Sequence, residues 1–289
     1  MTDEGPPGGG PTVRRILLGS QLRRLREARE ITRDQAGYSI RASESKISRM
    51  ELGRVPFKER DVADLLTLYG VTGQAERAPL LALANAASVP GWWHRYGDVL
   101  ADWFQPYLGL EEAASIVRTY EVQFVPGLLQ APGYARAVIT AGHPDASAAE
   151  IDRRVAMRMA RQKVLTRSAP PRLWAVIDEA ALRRPIGGTD VMRAQLRALI
   201  EKIKLNNIIA QVMPFRSGAH AAECGAFTIL RFPEPDVPDV VYLEHLTSAI
   251  YLDKRHDVDK YQQTMERLTA QAEPHDHTPG ILAAICDTL

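Results

Sequence analysis

Residues 32–53 read TRDQAGYSIRASESKISRMELG, and this stretch decides the fold of the N-terminal part of the chain. Thr32 followed three residues later by Gln35 is the pattern of a capping box at the start of a helix. After a short helix and a turn, Ser43 is placed to cap a second helix, which Gly53 closes. Two short helices with this spacing predict a helix-turn-helix.

The residue pattern predicts close packing between the two helices on one side and a polar surface on the other. Gly37 lies where the two helices must cross closely, and apolar side chains (Ile40, Ala42, Ile47 and Met50) can hold the second helix on the first. The opposite face is polar, so it is free to enter the DNA major groove. The predicted base-reading residues are Ser43, Glu44, Ser45, Lys46, Ser48 and Arg49. The predicted phosphate contacts are Thr32, Arg33, Arg54 and Lys58.

Helical periodicity continues on both sides of this segment. Residues 15–29, 59–69 and 73–88 are predicted as further helices, which gives five short helices in a compact all-α domain. The charge is concentrated in the same region. Residues 13–61 contain thirteen Lys or Arg and seven Asp or Glu, a net charge of +6, whereas the whole chain carries only +1. A basic module attached to an acidic one indicates that one end of the chain binds phosphate.

The C-terminal part is predicted to be an α+β domain with a mostly antiparallel sheet and helices on one side. Helices are predicted over 110–120, 132–141, 147–166, 188–204 and 257–272. Strands are predicted over 172–178, 207–213, 226–232, 239–245 and 249–252.

Four segments follow from these patterns. We expect a disordered tail at residues 1–12, rich in Gly and Pro, and a helix-turn-helix domain at residues 13–88. Residues 89–109 contain three of the four tryptophans and are expected to be a connector that packs against a domain or a second copy. Residues 110–289 are expected to form the α+β regulatory and dimerisation domain.

The run from Ile47 to Arg54, ISRMELGR, resembles the recognition-helix end of the lambda-repressor-like, or XRE, transcriptional regulators. That resemblance implies a DNA-binding regulator. The family often has glutamine at the first turn of each helix, where this chain has Arg33 and Glu44, and we expect these two to form an ion pair instead. The family also favours glycine in the turn, where this chain has Arg41.

The C-terminal part resembles the domain of unknown function found in the WhiJ-like XRE regulators of actinobacteria. The resemblance lies in Gly91-Trp92-Trp93, in the segment from Tyr120-Glu121 through VPGLLQ at 125–130, in PFxxGAH at 214–220 and in VYLE at 241–244. It implies a regulator that is often encoded beside a small acidic partner protein of the BldB-like kind. Candidate residues for docking a partner or ligand are Trp92, Trp93, Tyr120, Glu121, His220 and Glu244.

Other functional classes find little support in the sequence. No long apolar span or signal peptide is present, and Cys224 and Cys286 form no metal or redox motif, so we expect a cytoplasmic protein without a cofactor. No catalytic motif occurs, which predicts that the chain is not an enzyme. The expected partners are double-stranded DNA, read at a palindromic operator by a homodimer, and a regulatory partner. A small-molecule effector, or control by a small partner protein as in antitoxins, remains the alternative.

Overall fold

The computed structural model describes residues 11–235 and 237–289, which divide into two units. The first comprises the chain up to Arg95 together with Gln105–Ala113 and Pro233–Val237; the remainder forms the second. The predicted tail lies outside the described residues except for residues 11 and 12, which begin the first helix. Within the described residues, no helix combines the length and apolar character needed to cross a membrane.

The first unit is all-α. The five predicted helices are α1 (Pro11–Ala28), α2 (Arg33–Ser39), α3 (Glu44–Glu51), α4 (Glu59–Leu68) and α5 (Gln74–Ala87). A further helix, α6 (Gln105–Ala113), belongs to the same unit and packs on α1 at Gly109, where an added Cβ would clash with Thr12. The sequence-based boundary at residue 109 therefore falls inside a helix.

The hydrophobic core of the first unit forms beneath the helix-turn-helix. Leu18 and Leu22 of α1, Ile47 and Met50 of α3 and Leu66 of α4 are all at most 1% exposed. These are the apolar positions that helical periodicity selects, so burying them fixes which face of α3 is left outside. The capping box at Thr32 and the Ser43 cap of α3 are both present, as the sequence predicts.

The turns that follow α2 and α3 have the same pattern of backbone hydrogen bonds. After α2, the Ala42 amide donates to the Gly37 carbonyl and the Arg41 amide donates to the Tyr38 carbonyl. This is a Schellman motif, in which the residue following the helix takes the left-handed conformation that glycine adopts most easily. Gly53 occupies that position after α3, with φ +65°, but Arg41 occupies it after α2, with φ +54°.

Arg41→Gly is expected to raise the free energy of unfolding by about 0.5–1 kcal/mol, because it removes a left-handed non-glycine residue while adding some unfolded-state entropy. Chemical denaturation of the full chain, followed by circular dichroism, measures this change. Arg41→Ala is the matched control, since it removes the same side chain but keeps the Cβ. Equal stabilisation by both substitutions would contradict the backbone explanation.

The second unit is an α+β structure around a six-stranded sheet. The strands are β1 (Ile116–Glu121), β2 (Arg172–Asp178), β3 (Ile208–Met213), β4 (Phe227–Arg231), β5 (Val240–Glu244) and β6 (Ala249–Leu252). Their order is β3-β2-β1-β4-β5-β6. The three pairings on the β4 side of β1 are antiparallel and the two on the β2 side are parallel. The predicted fold class is confirmed.

The helices of the second unit are α7 (Pro132–Gly142), α8 (Ala148–Arg161), α9 (Glu179–Arg183), α10 (Thr189–Lys202), α11 (Arg255–Gln271) and α12 (Thr278–Thr288). The prediction that helices cover one side of the sheet is wrong. Val176, on one face of β2, packs in a cluster with Met265 of α11. On the opposite face, Ala175 is equally buried, and Thr278 of α12 donates to the Ala210 carbonyl of β3. Two buried faces require cover on both sides.

The prediction of a helix over 110–120 is also wrong. The helix ends at Ala113, and residues 116–121 form β1 at the centre of the sheet. This short stretch, IVRTYE, is rich in β-branched side chains, and its strand has hydrogen-bonding partners on both sides, β2 and β4. Pairing on both sides outweighs the helical tendency carried over from the Leu-Glu-Glu-Ala-Ala segment before it.

Candidate functional site

The exposed surface of α3 is the first candidate site. Its first turn presents Ser43, Glu44 and Ser45 to solvent, and Arg49 is exposed one turn later, with Ser48 partly exposed. Thr32, Arg54 and Lys58 are exposed beside α3, on the start of α2 and on the segment leading to α4. Seven of the ten residues predicted to contact DNA are therefore exposed, and they lie on or beside α3, a helix of eight residues.

A buried carboxylate holds this surface in place. Glu51, at the end of α3, accepts two hydrogen bonds from the Arg26 guanidinium of α1, at 2.5 and 3.1 Å. It also accepts one from Arg33 Nε of α2, at 3.2 Å. The side chains of Glu51 and Arg26 are only 4% and 8% exposed, and the Glu51 carboxylate raises the pKa of Arg26. One carboxylate thus ties three helices together.

The expected ion pair between Arg33 and Glu44 does not form, because Arg33 is turned inwards to Glu51. Glu44 makes no ion pair with any described residue and points to solvent. Lys46 is also tied down, since its Nζ lies 2.9 Å from Asp61 Oδ2 of α4. The charges of Arg33 and Lys46, two of the predicted DNA contacts, are therefore paired within the protein.

Close backbone approaches set the angle of α3. A Cβ on Gly37 would lie 2.6 Å from the Ala42 carbonyl oxygen, in line with the predicted need for a small residue there. Sequence reasoning missed Gly19 of α1, where a Cβ would lie 2.5 Å from the Met50 carbonyl oxygen of α3. A glycine inside an amphipathic helix was the available signal, because such a position costs helix stability unless packing requires it.

Removing the Glu51 charge tests this network. Glu51→Ala is expected to lower the free energy of unfolding by about 3–5 kcal/mol, because the buried Arg26 guanidinium then keeps only the half-exposed Glu27, 3.4 Å from its Nη2, as a counter-ion. Denaturant unfolding of the full chain measures the loss. Glu27→Ala is the matched control: Glu27 is half-exposed on α1, where it pairs with Arg23 and more distantly with Arg26, so its loss is expected to cost at most about 1 kcal/mol. A loss at Glu51 no larger than that at Glu27 would contradict the role assigned to the network.

The docking candidates lie in both units. Trp92 and Trp93 belong to the first unit, where Trp93 is only 2% exposed and packs against Gly91 and Gly109. In the second unit, Tyr120 is fully buried. Neither Trp93 nor Tyr120 therefore offers its side chain to a partner, because each fills a core.

On one face of the sheet, Tyr120 joins a chain of hydrogen bonds. His220 Nδ1 accepts from the Ala222 amide at 3.3 Å, which leaves the proton on Nε2 to be donated to the Tyr120 hydroxyl at 2.9 Å. The Tyr120 hydroxyl lies 3.5 Å from Asp178 Oδ2, and Asp178 in turn caps α9. Burial raises the pKa of Tyr120. Each of these groups has a partner, so the chain of bonds fixes the loop around His220 to the ends of β1 and β2.

On the opposite face, Glu121 and Glu244 occur with two arginines. Burial and the nearby Glu244 carboxylate raise the pKa of Glu121 to about 7, and the charges of Arg161 and Arg158 act against that rise. Burial and the charge of Arg161 lower the pKa of Arg158 to about 10. Arg158 Nη1 donates to Gln130 of the VPGLLQ segment at 2.8 Å. Sequence reasoning singled out both glutamates but missed the arginines, which come from α8.

Glu121→Gln is expected to stabilise the protein at pH 8. Because the pKa of Glu121 is about 7 in the folded state and about 4.5 when unfolded, the unfolded state loses this proton first as the pH rises. Stability from this group is therefore lost between about pH 4.5 and 7, and the substitution recovers roughly 1–3 kcal/mol above pH 7. Unfolding of both proteins at pH 8 and pH 5 measures the gain.

The gain is expected to be present at pH 8 and almost absent at pH 5. Glu201→Gln, which removes a surface carboxylate on α10, is the matched control and should show no comparable dependence. A gain that is the same at both pH values would mean that ionisation of Glu121 does not cause it.

Comparisons with known families give two matches. Residues 104–284 match the model of a domain of unknown function, DUF5753, and residues 17–80 match a model described as a helix-turn-helix domain. The first match covers more than half of the chain. No curated protein and no solved structure matches the chain.

Proposed function

We propose that this chain, which belongs to the DUF5753 family, is a sequence-specific DNA-binding transcriptional regulator whose helix α3 reads the major groove. One observation carries the proposal most directly. The Glu51 network and the apolar side of α3 hold that helix against α1 and α2, and its polar side remains exposed. A fixed helix with an accessible polar face is what insertion into the major groove requires.

The exposed residues of α3 differ in what they can recognise. Arg49 is suited to the O6 and N7 atoms of guanine, where two parallel hydrogen bonds discriminate between bases by about 1–3 kcal/mol. Glu44 is suited to accept from the N4 amino group of cytosine. The hydroxyls of Ser43, Ser45 and Ser48 can contact either bases or phosphates. With Lys46 bound to Asp61, we assign base recognition chiefly to Glu44 and Arg49.

Phosphate contacts are proposed on either side of α3. Thr32, Arg54 and Lys58 are exposed there, and such contacts fix the register of a protein on DNA without reading its sequence. Arg33 is held by Glu51, so we assign it mainly to positioning α2, with its partly exposed guanidinium adding positive potential near the backbone.

We further propose that the regulator belongs with the XRE group, in its WhiJ-like branch, and acts as a homodimer. A single reading helix contacts only a few base pairs, and the two-fold symmetry of a dimer doubles the contacts on a palindromic operator. The second unit is then the part that dimerises and takes a regulatory partner. Its match to a family separate from the helix-turn-helix supports a role distinct from DNA reading.

Arg49→Ala and Arg54→Ala are expected to weaken DNA binding in different ways. Sites are first selected from random duplexes with the full chain, and affinities are then measured by fluorescence anisotropy at several salt concentrations. Arg49→Ala should cost about 1–3 kcal/mol on the selected site and relax one base position. Arg54→Ala should weaken binding on all sequences alike and lower the salt slope by about 1.

Arg255→Ala is the matched control, because Arg255 is a highly exposed arginine on α11 of the second unit. It changes the net charge equally and should leave both sequence preference and salt slope unaltered. If selection with Arg49→Ala returns the same preferred bases at every position, Arg49 does not read the sequence. If the full chain enriches no sequence, the proposed function fails.

A further inference from the structure

The two edges of the six-stranded sheet differ in how their backbone groups are satisfied. At the β3 edge, the Val212 carbonyl accepts from the Glu273 amide at 2.9 Å, and the Ala210 carbonyl accepts from the Thr278 hydroxyl at 2.8 Å. The segment between α11 and α12 therefore covers this edge. β6 is the other edge, and among the described residues β5 is the only strand that pairs with it. A further strand can add to the sheet at β6.

The register of the β5–β6 hairpin determines which backbone groups of β6 point outwards. The His245 amide donates to the Ser248 carbonyl at 2.9 Å, so these two residues form a hydrogen-bonded pair. Because hydrogen-bonded and non-hydrogen-bonded pairs alternate along an antiparallel ladder, the next pair, Glu244 with Ala249, is not hydrogen-bonded. The amide and carbonyl of Ala249 therefore point away from β5, and neither has a hydrogen-bond partner among the described residues.

The side chains at the β6 edge are uncharged, and two apolar ones are accessible. β6 reads AIYL, although charged residues and proline are what commonly prevent an edge strand from pairing. Alternation places Ile250 and Leu252 on the sheet face that α11 covers, where Leu252 packs against the core. Ile250 is nevertheless 44% exposed, and Leu246, at the tip of the hairpin, is 97% exposed. These features suit β6 to pairing with another strand.

We propose that β6 pairs antiparallel with β6 of a second copy of this chain, about a two-fold axis at Ile250. On each side of the axis, Ala249 of one copy forms a hydrogen-bonded backbone pair with Tyr251 of the other, because outward-pointing groups lie on alternate residues. This pairing leaves in place the bond from the Tyr251 hydroxyl to the Trp103 carbonyl, at 2.7 Å. The two Ile250 residues meet on the axis as a non-hydrogen-bonded pair, with Cα atoms about 4.5 Å apart.

A second copy is the occupant that this edge fits. Two identical strands about a two-fold axis present the same donors and acceptors to each other, so each outward group of one copy finds its counterpart in the other. The β3 edge is covered in both copies, so strand addition stops at a dimer and the two sheets form one continuous sheet. Because the proposed function already includes a homodimer, this inference rests on it and names the surface at which the two copies join.

The first experiment is sedimentation velocity of the full chain, which is expected to be a dimer. Ile250→Lys is expected to raise the dimer dissociation constant by at least about tenfold, because it removes two apolar contacts and opposes two like charges on the axis. Leu205→Lys is the matched control: Leu205 is 40% exposed on the turn before β3, so the same charge is introduced at a similar exposure but away from β6. The control should leave the dissociation constant unchanged. Circular dichroism of both variants checks that they are folded.

A cysteine placed on the axis gives a second readout. Ile250→Cys is expected to form a disulfide between two copies on mild oxidation, because a Cα separation of about 4.5 Å lies within the range that a disulfide spans. Cys224 is exposed, so the substitution is made together with Cys224→Ser. Leu205→Cys in the same background is the control and should give no disulfide-linked dimer.

The outcomes separate this surface from the rest of the proposed function. If the folded Ile250→Lys variant keeps the dissociation constant of the unaltered dimer, or if a dimeric Ile250→Cys variant forms no disulfide, β6 is not the dimer surface, and the homodimer itself stands. If the full chain sediments as a monomer, both the surface and the homodimer are overturned. DNA selection with the same protein reports independently on base reading by α3.

Discussion

The helix-turn-helix depends on one buried carboxylate. Glu51 is nearly inaccessible to water and is bonded to arginines from two other helices. Such a group is costly to bury alone and favourable only when its partners are complete, so it couples the positions of α1, α2 and α3. Displacing any of the three helices breaks a bond to a desolvated charge. The angle of α3 is therefore determined more sharply than apolar packing alone would allow.

This constraint decides which polar residues remain for recognition. Arg33 is drawn into the network, and Lys46 is bound by Asp61, so both support the position of α3. Glu44 and Arg49 are left facing solvent. The net positive charge at the exposed surface of α3 is consequently smaller than a count of the charged residues in the first unit indicates. Part of it serves to hold the helices together.

Glu121 of the second unit lies in a different electrostatic environment from Glu51. Glu121 faces Glu244 and two arginines but is not joined to Arg158, and its pKa is raised because burial and a like charge disfavour ionisation. Perturbed ionisable groups of this kind occur at functional sites, where stability is given up for chemistry or binding.

The sequence by itself determined the local elements. Caps at Thr32 and Ser43, apolar periodicity and alternating strands were enough to place the first five helices, α1 to α5, and five of the six strands, because these signals act over a few residues.

Only the tertiary structure decided which charges pair and where β1 lies. Arg33 pairs with Glu51, eighteen positions further along the chain, and not with Glu44, which is closer in sequence. Residues 116–121 form a strand because they pair with segments far along the chain. Both outcomes depend on desolvation and on backbone pairing, which exist only once distant segments are brought together.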